Sequence, residues 1–81
     1  MKKSNPKLQL ECLRDHVKLV QESLKSADSR QVEIARAEYE DLVDEFAAKF
    51  GDYVAPQQIE TARREPEYFL MLIENIRAIK F

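Results

Sequence analysis

Residues 10–24 read LECLRDHVKLVQESL. Apolar side chains fall at Leu10, Leu13, Val17, Val20 and Leu24, in steps of 3, 4, 3, 4. That rhythm gathers all five onto one face of an α-helix, and it repeats as a heptad seam. Cys12 and Leu19 lie off the seam and widen the apolar surface. Pro6 suits the first helical turn, where a missing N–H costs nothing, and Ser4 or Asn5 can cap it. A helix is therefore expected from about Pro6 to Lys25, after a flexible basic tail over residues 1–5.

Working outward, the same rhythm returns after the turn SADS at 26–29. Val32, Ala35, Tyr39, Leu42, Phe46 and Phe50 form a second seam, with Lys49 at the strict heptad position. Asp28 or Ser29 can cap this helix, and Gln31 stands three residues after Asp28 as in a capping box. Gly51 follows Phe50 and suits a left-handed residue closing the helix. Two long helices joined by so short a turn pack as an antiparallel hairpin.

The linker DYVA at 52–55 carries Tyr53 and Val54, which are expected to fold over the end of the hairpin. Pro56 then opens a short helix through Arg64. Pro66 disfavours helical backbone at Glu65, so a break or a kink is expected there. A last helix follows from Pro66 to about Lys80, either separate from the third or joined to it as one kinked unit. Phe69, Leu72, Ile73, Ile76 and Ile79 form its stripe, continued backward by Ile59 and Ala62.

Composition agrees with these patterns. The single Gly51 and three prolines leave a chain rich in good helix formers, with no alternating β-branched segment. The fold class expected is all-α: a small helical bundle forming one domain over residues 6–81. At 81 residues a single core is only marginally sufficient, and one cysteine cannot form an internal disulfide. Close helix packing or oligomerisation is left to supply stability. Apolar residues at 44% argue against disorder, while the longest apolar run is far too short to span a membrane. The start MKKSNPK is basic but leads into no apolar signal core, so a cytoplasmic location is expected.

Chemistry finds little foothold. Cys12 and His16 are one turn apart, a spacing that could join a thiolate to an imidazole, but both read as flank residues of an amphipathic helix. No Glu-x-x-His pattern precedes the single histidine, and one glycine cannot build a phosphate-binding loop. No enzyme activity, cofactor, metal or small-molecule substrate is expected.

Binding surfaces are easier to find. Residues Tyr68 to Ile73 carry no charge, and Tyr68, Leu70 and Met71 fall off the core stripe of the last helix. A lone hairpin offers no third face to cover them. With Phe81 they are expected to form an interface with a second copy or another protein, since exposed apolar patches mark interaction sites. The second helix carries Glu33, Glu38, Glu40, Asp41, Asp44 and Glu45. Pairs such as Arg36–Glu40 and Glu45–Lys49 would make that face a solvated one. It could also dock a basic partner.

An alternative is a helix-turn-helix-like DNA-binding regulator. Ala47 and Gly51 match the small residue and the turn glycine of that motif. The helix from Pro56 would then present Gln57, Gln58, Thr61, Arg63 and Arg64 to bases and phosphates. A linker longer than the usual turn and a net charge of −2 argue against it, so nucleic acid is not the expected partner. The reading favoured by the sequence is a non-enzymatic protein-interaction module, an adaptor, regulator or inhibitor.

Overall fold

Every helix begins where a residue can satisfy or omit the first free N–H groups. The computed structural model describes residues 5–79; most of the basic tail and Phe81 lie outside them. Helix α1 spans Pro6–Leu24, with Pro6 in its first turn and the Asn5 side chain accepting from the Leu8 N–H at 3.2 Å. Helix α2 spans Ser29–Phe50 under an Asp28 cap. Helix α3 spans Pro56–Arg64 and α4 spans Pro66–Arg77. The all-α fold read from the sequence is the fold observed.

Two terminal devices differ from expectation. Asp28 accepts from the Arg30 N–H rather than from Gln31, and its own N–H donates to the Ser26 hydroxyl at 3.1 Å. Ser26 thus takes the role expected of Gln31, leaving that side chain exposed. Gly51 is right-handed, with φ −61° and ψ −25°, and the chain runs on into a 3-10 turn over Gly51–Tyr53. No left-handed cap closes α2, because the backbone tightens instead of reversing.

Helices α3 and α4 are separate. Glu65 is extended at φ −130° and ψ 103°, the conformation that a following proline favours. Gln58 fixes the start of α3 by accepting from the Ala55 N–H at 2.8 Å.

Helix α1 packs on α2 and on α4, while α3 packs on α4 and on α2, which closes the four helices into a ring. The expected seams fill its centre: Leu10, Leu13, Val17 and Val20 from α1 meet Ala35, Tyr39, Leu42, Phe46 and Phe50 from α2. Val43, off the expected seam, is also fully buried, because α2 faces α3 and α4 as well as α1. Phe69 reaches between two rings of α2, edge-on to Tyr39 at 5.7 Å and to Phe46 at 5.2 Å. Such edge-to-face pairs add to burial itself.

At the outer seam between α1 and α4 the carboxylates and guanidiniums interlock. Arg77 bonds Glu11 at 2.8 Å and Glu74 at 3.2 Å, while Arg14 bonds the same Glu74 at 3.1 Å. Val54 packs against the core, whereas Tyr53 keeps an exposed ring beside Phe50. Ile79 departs from its expected stripe: it lies beyond the end of α4 and is 41% exposed.

Candidate protein-interaction surface

Helix α4 is apolar on three sides because it has neighbours on three sides. Phe69, Leu72, Ile73 and Ile76 point into the core, and α1 and α3 flank the helix. Tyr68 and Leu70, expected to be surplus, are half-buried and pack against that core. The expectation treated the hairpin as two-sided. In the closed ring the flanks of α4 are covered, and only Met71 points well away, 47% exposed.

The acidic helix is partly neutralised from within. Arg63 of α3 bonds Asp44 at 2.6 Å and Glu40 at 3.3 Å. Its guanidinium is held even more firmly charged, chiefly by the hydrogen bond to Asp44. Glu40 thus turns to Arg63 across the helix boundary rather than to Arg36 along its own helix. Glu45 does pair with Lys49, at 3.1 Å. Glu33, Glu38 and Asp41 remain exposed.

Those bonds bear on the five residues of the DNA-binding alternative. Arg63 is committed to α2, Gln58 to the Ala55 N–H, and the Thr61 hydroxyl donates to the Gln57 carbonyl at 3.0 Å. Gln57 and Arg64 are left with exposed side chains. The 3-10 turn and the extended residues before Pro56 also make a broader connection than a tight helix-turn-helix corner.

The largest exposed apolar side chains lie elsewhere. Leu19 is 69% exposed, Ile34 58% and Leu8 55%. None belongs to a core seam. Leu8, Cys12, Asp15 and Leu19 are spaced 4, 3, 4 and share a stripe on the side of α1 turned away from the core. Ile34, Glu38, Asp41 and Glu45 share a stripe on α2 by the same spacing. The second stripe on each helix was present in the sequence, behind the stronger signal of the seam. Between the hairpin helices lies an open groove of about 280 Å³, lined by Leu8, Gln9, Cys12, Leu13, His16, Leu42, Glu45 and Lys49.

Cys12 and His16 therefore share a groove, but both are exposed residues on its wall. Among the described residues no group of three or more His, Cys, Asp or Glu side chains is arranged to hold a metal ion. None of the described helices is long and apolar enough to cross a membrane. Comparison with protein-family models, curated proteins and solved structures finds no match to this chain.

Proposed function

We propose that this protein is a non-enzymatic protein-interaction module, an adaptor, regulator or inhibitor, that binds through the outer side of its helical hairpin. The observation that carries the reading is the exposure of Leu19, Ile34 and Leu8, each more than half open to solvent in a fold with enough core to bury others. Large apolar side chains left exposed on a small protein favour association over solvation. Around Ile34 stand Glu33, Glu38 and Asp41, all exposed. A carboxylate rim about an apolar anchor suits a partner with a basic rim about an apolar pocket. Met71 of α4 provides a secondary contact. The exposed thiol of Cys12 suits a reducing compartment such as the cytoplasm.

The test compares the wild-type chain with Ile34→Arg and Met71→Glu as immobilised baits in extract from the source cell. Proteins held by the wild type and lost with Ile34→Arg support the reading. An identical set held by the wild type and Ile34→Arg, or nothing held by the wild type, overturns it.

A further inference from the structure

The exposed stripe of α1 has the pattern of a surface that pairs with itself. We infer that a second copy of this chain packs antiparallel on α1, seating its Leu19 at the mouth of the groove beside Leu8; this rests on the interaction-module reading above. In that register the symmetry is complete: Leu8 faces Leu19 of the partner subunit, and Leu19 faces the partner subunit's Leu8. Cys12 meets Asp15 of the partner subunit at the centre. An antiparallel two-helix seam is built from such reciprocal pairs.

Charge decides both the direction and the face. Glu11 and Lys18 flank the stripe on the same side, at equivalent heptad positions. Antiparallel packing sets Glu11 beside Lys18 of the partner subunit, twice. Parallel packing would put the two copies of this flank on opposite sides of the seam, where neither Glu11 nor Lys18 meets an opposite charge. Lys18 is exposed and makes no ion pair with another described residue, so it is free for this role. Glu11 is already held by Arg77 at 2.8 Å, which places its carboxylate on the α4 side of the stripe. The corresponding stripe of α2, Ile34, Glu38, Asp41 and Glu45, carries three carboxylates and would repel its own copy. The second copy therefore belongs on α1, leaving the α2 face for a basic partner.

The groove gives the contact depth. Leu8 and Cys12 line its open side above the buried Leu13 and Leu42, with Gln9 and His16 beside them, and a leucine entering from a facing helix would cover the apolar part of that lining. Asp15 is the one charge in the seam. Arg14 bonds it at 3.3 Å and lowers the cost of covering it.

The closing experiment is light scattering behind a sizing column, over a wide range of concentration, on the full chain and on Leu19→Glu and Asp15→Leu. The wild-type mass is expected to rise from 9.5 kDa toward twice that value with concentration. Leu19→Glu is expected to stay monomeric with an unchanged helical circular-dichroism spectrum, because the side chain it replaces is largely in solvent. Asp15→Leu is expected to dimerise at about a tenfold lower concentration, since it replaces a seam carboxylate with an apolar side chain. A wild type that stays monomeric throughout, or a Leu19→Glu variant that dimerises as well as the wild type, overturns the second copy. A monomeric wild type that still loses extract proteins on Ile34→Arg removes the second copy alone and leaves the wider reading standing.

Discussion

The hydroxyl of Tyr39 donates a hydrogen bond to the carbonyl oxygen of Ala62. In a continuous helix that carbonyl would accept from the residue four positions on. Here that residue is Pro66, which has no N–H to give. Both partners are buried, so the carbonyl has no recourse to water. A side chain from the middle of α2 thus satisfies the backbone group stranded by the α3–α4 break and pins that joint to the hairpin. Phe69, just beyond the break, stacks its edge against the same tyrosine ring.

Tyr39→Phe keeps the ring and removes the donor. It is expected to destabilise the fold by about 1–3 kcal/mol, the cost of leaving a buried acceptor unpaired. Urea unfolding of Tyr39→Phe in wild-type and Pro66→Ala backgrounds checks the cause. A Pro66→Ala chain regains a backbone N–H at that position, so Tyr39→Phe should cost less there. An equal cost in both backgrounds would mean that the hydroxyl is not standing in for the missing N–H.

The same phenol links the stability of the fold to alkaline pH. Burial raises the Tyr39 pKa well above its ordinary value of 10.0, and the charge of Glu40 adds to the effect. The folded state therefore holds the proton more tightly than the unfolded one. Its contribution is complete below pH 10 and is lost as the pH rises beyond that toward the folded pKa. Midpoints of thermal unfolding should fall above pH 10 more steeply for the wild type than for Tyr39→Phe. Parallel profiles would refute the linkage.

Gly51 offers a test with a definite sign. Its backbone is right-handed, and a Cβ built there meets nothing within 4 Å. Gly51→Ala is expected to stabilise the protein by about 0.4–1 kcal/mol, through the lower entropy of the unfolded chain. A left-handed glycine would give the opposite result, so a lowered urea midpoint would restore the cap expected from the sequence.

The fold was legible where a residue's neighbours in sequence decide its environment. The 3, 4 steps of α1, a cap at Asp28 or Ser29 and an interruption at Pro66 are local facts readable in advance, though the choice of a break over a kink was not. Gly51 departs from expectation locally, because the chain tightens into a 3-10 turn, whereas Tyr68 and Leu70 were misjudged because their environment depends on how the helices close. Sequence spacing places Tyr68 and Leu70 off the stripe, but only the closed ring of four helices supplies the core against which they pack. The bond from Tyr39 to Ala62 joins positions 23 apart in sequence and has no local signature. Of the proposed surface, the acidic residues and Met71 were visible. Leu19 was legible as an apolar residue off the seam of α1, whereas Leu8 and Ile34 were masked by the stronger seams on the same helices.

The α1–α4 seam predicts the acid limb. Hydrogen bonds from Arg14 and then Arg77 lower the Glu74 pKa below its ordinary 4.5. A lowered carboxylate stabilises the fold above its unfolded pKa, and that contribution is lost as the pH falls through the folded pKa. The side chain is exposed, so the effect is modest and screened by salt. Glu74→Gln should unfold earlier than the wild type at neutral pH, with the gap narrowing as the pH drops below 4.5. A gap that is constant with pH would assign the loss to packing rather than charge.

Met71 and Leu70 are adjacent in sequence and should behave as opposites. Leu70 is half-buried against the core, so Leu70→Glu drives a carboxylate into an apolar margin. That variant is expected to lose about 1–3 kcal/mol of stability, because a charge displaces apolar packing with no partner provided. Met71 is 47% exposed and is absent from the core cluster. Met71→Glu should therefore change stability by no more than about 0.5 kcal/mol. Denaturant midpoints of the two variants separate a structural flank from a free surface. If both variants are equally destabilised, Met71 is also part of the packing, and its role as a secondary contact has to be given up. If Leu70→Glu is as stable as the wild type, the flank of α4 is open after all, and the interface read from Tyr68, Leu70 and Met71 returns.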